Sequence, residues 1–308
     1  VVDPEPSAAE LLAKAWGFRS PREMLAERPR STKAALSSAE WDVMRELCLK
    51  RAVQHAPVQY LVGEWEFHGL TLEMKAPTLI PRPETEELVD IILKWLRSEV
   101  TVIEEGRPTV GHQQGLDESR GVRFLDVGSG TGALGLALLK ELPSATCVAI
   151  DSQEAAVSLS RRNARRMGLQ NRYTCLHTNI EAFGLGNEFG IRKAGASQNE
   201  EEDVRGSFDF IVSNPPYIPR RDMAGLPPDV ADHEDHVALD GGEDGLDVVR
   251  RIVQKCPELL RRGGFRQLWM EVDTSHPERI GSWLEFDDSP HGVAMFEWRR
   301  DLSRRPRF

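Results

Sequence analysis

The sequence predicts an α/β protein whose main body is a mostly parallel, doubly wound sheet. Three observations predict it. Short apolar strands alternate with amphipathic helices from Phe124 onward. A glycine-rich loop at 128–132 follows the first of these strands and opens a helix. Asn214-Pro215-Pro216-Tyr217 directly follows a later strand. The 308 residues, 40% hydrophobic and 29% charged, suffice for a normal buried core. That balance excludes a collagen-like, wholly disordered or small disulfide-stapled chain.

Each element has its own local reason. Residues 7–55 read as helices: Ala8, Leu11, Leu12 and Ala15 share one face, and Trp41, Met44, Leu47, Cys48 and Val53 share another. Ser38 is placed to cap the second helix. Residues 63–74 alternate apolar and polar around His68-Gly69, which predicts a β-hairpin. Residues 84–97 form an amphipathic helix starting near Pro83. Residues 99–121 are polar and aperiodic and read as a linker. Strands follow at 124–127, 147–150, 173–176, 208–212, 267–272 and 293–298. Helices fall at 131–141, 153–167, 245–261 and 277–285. The acidic, small-residue stretch 184–207 reads as a disordered surface insertion. The division is a helical segment at 1–56, a hairpin connector at 57–83 and the sheet domain at 84–308.

Charge and cysteine usage narrow the function classes. Net charge is 39 − 49 = −10, which argues against sequence-independent nucleic-acid binding. No apolar run reaches membrane-span length. Cys48, Cys147, Cys175 and Cys256 form no CxxC pair, so neither a zinc site nor a disulfide framework is expected. His233-Glu234-Asp235-His236 lies in a polar loop without further ligands nearby, so no metal is assigned. Arg161, Arg162, Arg165 and Arg166 read as a solvated helix face. The N-terminal segment has no basic and apolar leader pattern, and the chain begins at Val1.

Chemistry concentrates in three places. Gly128, Ser129, Gly130, Thr131 and Gly132 form a strand-to-helix loop whose glycines let backbone approach a ligand. Asp151, at the end of the next strand, can accept both hydroxyl protons of a ribose, or can cap the following helix. Loop and acid together indicate an adenosine-containing ligand but do not choose between NAD and S-adenosyl-L-methionine. Asn214 to Tyr217 decides between them. The two prolines rigidify the backbone and leave the Asn214 and Pro215 carbonyls without following amide protons. With the Asn214 side-chain oxygen, this array can accept both protons of a planar –NH2 group while Tyr217 packs on its face.

With these residues in view, the chain resembles the HemK/PrmC family of class I S-adenosylmethionine-dependent methyltransferases, Rossmann-like enzymes that methylate glutamine in peptide-chain release factors. Residues 57–63 with Phe67 are similar to the family's connecting segment. Leu79-Ile80-Pro81-Arg82-Pro83-Glu84-Thr85-Glu86 resembles its signature before the sheet, and 239–245 its later loop. The details of 57–89 and 299–308 are most similar to the animal mitochondrial member. Asn179 and Ile180 stand where many members carry an acid and a large apolar or aromatic residue.

The resemblance implies S-adenosyl-L-methionine as cofactor, held by Gly128, Ser129, Gly130, Thr131, Gly132, Asp151, Ile180 and Asn214, with Ile180 packing on the adenine. It implies substrate binding by Asn214, Pro215, Pro216 and Tyr217, with Asn214, Pro215 and Tyr217 in catalytic roles. The implied reaction is N5-methylation of the glutamine in the Gly-Gly-Gln loop of a class I release factor, by a monomer. The implied location is the mitochondrial matrix, with the targeting segment absent from this chain, or alternatively the cytoplasm. Arg82 and Glu84 either flank the substrate entrance or cap the following helix. The rival readings are an adenine-N6 methyltransferase acting on a flipped base, a non-catalytic methyltransferase-fold binding module, and a dehydrogenase, which leaves 214–217 unexplained.

Overall fold

The computed structural model describes residues 4–18, 21–27, 37–97, 99–104, 107–112, 121–184, 204–262, 265–286 and 296–308. Helices α1 (Pro4–Ala15), α2 (Pro21–Glu27) and α3 (Ser38–Val53) come first. The cap of α3 is Ser37, one residue before the expected Ser38. Its hydroxyl accepts from the Glu40 N–H while Glu40 accepts from the Ser37 N–H, a reciprocal capping box. The apolar face expected on α3 is not buried: Leu47 is, but Trp41 and Val53 are 59% and 69% exposed. On α1, Leu11 and Ala15 are buried while Ala8 is exposed.

The short helix α4 (Val58–Val62), not foreseen in the sequence, leads into β1 (Glu64–Phe67) and β2 (Leu70–Glu73), which pair antiparallel as expected. His68 and Gly69 both take positive φ, which matches the twist of a two-residue hairpin. Phe67, Leu70 and Leu72 are buried beneath it. Helix α5 (Pro83–Arg97) buries Leu88, Val89, Ile92, Leu93 and Leu96 along one stripe. Residues expected as an aperiodic linker instead include a second antiparallel hairpin, β3 (Glu99–Glu104) and β4 (Arg107–His112).

The main sheet follows: β5 (Arg123–Val127), α6 (Ala133–Glu141), β6 (Thr146–Asp151), α7 (Glu154–Arg166), β7 (Tyr173–His177), β8 (Phe210–Ser213), α8 (Pro228–Ala231), α9 (Asp247–Leu259), β9 (Gln267–Met270) and α10 (His276–Phe286). The order is β7-β6-β5-β8-β9, and every pairing is parallel. Side chains alternate across the sheet. Phe124 stacks on Phe210, ring centroids 5.0 Å apart, in a core shared with α5, α6 and the first hairpin. Leu125 and Ile211 face the opposite core, with Phe183 and Ile252. Because the chain winds from β5 outward to β6 and β7 and then returns to β8, the carboxyl ends of β5 and β8 border the crevice where such sheets bind ligands.

Several boundaries differ from expectation. Thr131 and Gly132 precede α6 and do not belong to it. Most of the expected insertion, 185–203, lies outside the described residues. So does the start of the expected last strand, 293–295, and 296–298 form no strand. The C-terminal residues fold back instead. Arg299 bonds Phe308 through backbone, Phe308 is buried, and the Val272 N–H donates to the Arg307 carbonyl at 2.9 Å.

Candidate active site

The glycine loop and the Asn-Pro-Pro-Tyr segment meet because β5 and β8 are adjacent. The Ser213 hydroxyl donates to the Val127 carbonyl at 2.7 Å, locking the two strand ends together. Gly128 is exposed at φ +77°, and a Cβ there would sit 3.8 Å from the Asn214 carbonyl oxygen. A cavity of about 600 Å³ opens at this point. Its walls include Gly128, Gly130, Asp151, Ile180, Asn214 and Pro216.

Asp151 organises the loop. Its Oδ2 accepts from the Gly130 N–H at 2.8 Å and its Oδ1 from the Gln153 N–H at 2.9 Å. The residue thus lines the cavity and braces the turn before α7, whose N-cap is Gln153 and not Asp151 itself. Burial pushes its pKa up while the two N–H donors pull it back. Each oxygen keeps a lone pair for a further donor. An open glycine backbone, a carboxylate with spare acceptor capacity and an apolar wall at Ile180 fit an adenosine-containing cofactor. Ile180 is 4% exposed. Asn179, beside it, caps its own turn by accepting from the Ala182 N–H.

Ser129, Thr131 and Gly132 do not reach the cavity with the others. All three are buried. The Ser129 hydroxyl lies 3.4 Å from the Cys175 sulfur, and the Thr131 carbonyl accepts from Asn163 at 2.9 Å. Asn163, fully buried on α7, also exchanges hydrogen bonds with Glu73 of β2, tying the hairpin to the loop. Pro215 is buried; Pro216 and Tyr217 are half-buried. Burial pushes the Tyr217 hydroxyl up to about 12, so it remains neutral near pH 7.

Other candidates are occupied elsewhere. Arg82 donates to both carboxylate oxygens of buried Glu234, at 2.7 and 2.9 Å, and Glu84 pairs with Arg305 at 3.2 Å. His233 and His236 contact the Gln54 and Ala231 carbonyls. Arg161 bonds the Cys175 carbonyl, and Arg162 and Arg166 pair with Glu73 and Glu64. That face is thus partly structural, where the sequence suggested solvent. No group of three or more His, Cys, Asp or Glu suited to a metal occurs among the described residues.

Three contributors were not assigned from sequence. Thr85, on the first turn of α5, accepts from the Asn214 Nδ2–H at 3.1 Å. Glu271, just past β9 and fully buried, accepts from the Thr85 hydroxyl at 2.7 Å. The loop 239–245 bonds Ile218 in both directions, through Leu239 and Gly241, and supports Tyr217. Thr85 sits inside the 79–86 signature, which is the signal that could have found it.

A family model described as the methyltransferase small domain matches residues 113–225. The human MTRF1L release factor glutamine methyltransferase is 37% identical over 282 residues, covering 91% of this chain and 74% of that protein. The chain belongs to the release factor glutamine methyltransferase family. A family member from Agrobacterium fabrum is 33% identical over 301 residues, covering 98% of this chain and 88% of that one. Among solved structures, the hMettl16 catalytic domain in complex with an RNA hairpin aligns with TM-score 0.50 at 14% identity, covering 90% of this chain and 83% of that one. This last likeness establishes the class I methyltransferase fold. The family's enzymes use S-adenosyl-L-methionine, and the cavity fits that cofactor.

One buried acid of this site region sets a stability prediction. Asp126 on β5 is 1% exposed and accepts from the Gly135 N–H at 3.1 Å, and burial raises its pKa to about 7. The folded chain therefore holds this proton more tightly than the unfolded chain does. Its stabilising contribution is complete below the unfolded value near 4 and is lost as pH rises toward 7, at up to about 1.4 kcal/mol per pH unit. Thermal melts at pH 5 and pH 8 should show a smaller drop for Asp126→Asn, whose amide oxygen can still accept from Gly135. Equal drops in both proteins would refute the assignment.

Proposed function

We propose that this chain methylates the side-chain nitrogen of the glutamine in the Gly-Gly-Gln loop of a class I peptide-chain release factor, supporting translation termination. The observation that carries it is the placement of Asn214 at the wall of the cofactor cavity, with its neighbour Pro216, beside the open backbone of Gly128. Identity to release factor glutamine methyltransferases over most of the chain supports the substrate class. The likeness of 57–89 to the animal mitochondrial member supports the mitochondrial matrix as its place of work. Residues 1–56 are assigned to docking the protein substrate. The working unit in this reading is a monomer.

When bound, the cofactor supplies an electrophilic methyl group. The chain's own residues do the rest. Gly128, Gly130 and Asp151 hold the cofactor's adenosine half. The Asn214 oxygen and the Pro215 carbonyl accept the two amide protons of glutamine, orient its nitrogen, and stabilise the positive charge that grows on it. A matched general base is unnecessary, because the proton is lost after the nitrogen has become strongly acidic. Asp151→Ala should weaken cofactor binding by about ten- to a hundredfold, as loss of a charge-assisted hydrogen-bonding group does. Titration calorimetry checks this, and unchanged affinity would remove Asp151 from the binding set.

The deciding experiment offers labelled S-adenosylmethionine with a release factor, its Gln→Ala variant in the Gly-Gly-Gln loop, and unmethylated DNA. Label on the factor alone supports glutamine. Label on DNA alone would transfer the reading to adenine-N6.

A further inference from the structure

The signatures at 79–86 and 214–217 are joined by the hydrogen bond between Thr85 and Asn214, across 129 residues of chain. That contact bears on a question the role of Asn214 leaves open. A carboxamide has a donor end and an acceptor end, and only the acceptor end can receive a proton from a substrate –NH2 group. Something must select the end that faces the cavity.

We propose that Thr85 and Glu271 are positioning residues that select it: they hold the Asn214 Nδ2 away from the cavity and so turn its Oδ1 toward the substrate nitrogen. The inference rests on the glutamine reading above. The Thr85 hydroxyl has a single proton and gives it to Glu271 Oε2 at 2.7 Å. It can then offer Asn214 only a lone pair, and only the Nδ2–H end of the amide can use it, at 3.1 Å. The direction of the relay is set by the Glu271 carboxylate, an acceptor at both oxygens when ionised. Glu271 is held in place by its own N–H, which donates to the Ser213 carbonyl at 3.0 Å. Arg307 stands 3.7 Å from its other oxygen.

Protonation would reverse the relay. A neutral Glu271 can donate to Thr85, which frees the threonine proton for Asn214 Oδ1 and swings Nδ2 toward the substrate, donor against donor. Burial lifts the Glu271 pKa to about 7, against the opposing pull of Thr85 and Arg307. The other charged or titratable groups facing it are Arg82 and Glu84 from the α5 side and Tyr217 from the loop after β8.

The test compares wild type, Thr85→Ser, Thr85→Val and Glu271→Gln, using labelled methyl transfer to a release factor and calorimetric cofactor binding. Thr85→Val should lose about ten- to a hundredfold in kcat, the scale of a misaligned reacting group. Its cofactor Kd should stay within about threefold of wild type, and Thr85→Ser should restore most of the rate. Wild-type kcat should fall on the acid side of neutrality. Glu271→Gln should flatten that limb, with its amide oxygen toward Arg307 and its NH2 toward Thr85, mimicking the protonated acid at every pH. Wild-type kcat in Thr85→Val, a serine variant as impaired as the valine one, or an unchanged acid limb in Glu271→Gln would each overturn the relay. Absence of label with wild type, by contrast, would overturn the glutamine reading itself.

Discussion

Replacing Asn214 with alanine should lower kcat by about a hundred- to a thousandfold while leaving cofactor affinity within about threefold. The asymmetry follows from where the side chain acts. Asn214 closes the end of β8 and contributes one wall of a cavity whose proposed adenosine-binding groups, Gly130 and Asp151, lie on β6 or just beyond β5. The glutamine nitrogen is a weak nucleophile because its lone pair is delocalised. Its reaction depends on being held in line and on acceptors that meet the charge developing on its protons. Alanine removes one acceptor and strands the Thr85 hydroxyl without its Nδ2–H partner. Single-turnover methyl transfer and calorimetry, run on the same preparation, separate the two effects. A fall in cofactor affinity with no fall in kcat would mean that Asn214 holds the cofactor and not the substrate.

The second large effect is expected at Gly245, the last residue of the 239–245 loop. Its φ is +84°, and a Cβ there would come 2.5 Å from the Tyr217 carbonyl oxygen and 2.9 Å from the His276 ring. Alanine therefore meets two penalties. The left-handed conformation costs about 1–2 kcal/mol. The collision with backbone pushes Tyr217, and with it the segment proposed to position the substrate. Gly63 isolates the first penalty: it has φ +83°, with nothing within 4 Å of a Cβ. Gly63→Ala should lose only that modest stability and keep its rate. Gly245→Ala should melt several degrees lower than Gly63→Ala, as about 1 kcal/mol moves a chain of this size by roughly 2–4 °C. It should also lose about tenfold or more in kcat. Equal melting temperatures and rates for the two variants would show that the 239–245 loop does not support the site.

Much of the fold can be read locally. Alternation around His68-Gly69 specifies the first hairpin, since period-two burial and a tight turn are properties of a dozen consecutive residues. The strands of the main sheet are legible as short apolar runs, because strands covered on both faces need no polar alternation. Helix boundaries were less legible. Ser37 and Ser38 are equivalent as caps until Glu40 selects one through the reciprocal bond. The apolar residues of α3 show a period, yet Trp41 and Val53 remain exposed, because a periodic pattern says which residues share a face and not whether a partner covers it.

By itself the sequence determined the chemistry of this protein's parts: a glycine loop that admits a ligand, an acid after the next strand, and a rigid array of acceptors at 214–217. Each is a run of adjacent residues whose function follows from local backbone geometry. Tertiary structure decided how the parts act together. Strand order set β8 against β5 and brought Asn214 to Gly128. It turned Ser129 and Thr131 inward, gave Arg82 to Glu234 across 152 residues, and joined Thr85 to Glu271 across 186. Such contacts arise because separate crossovers return the chain to the same sheet edge. Their spacing in sequence carries no period that propensity or patterning could reveal.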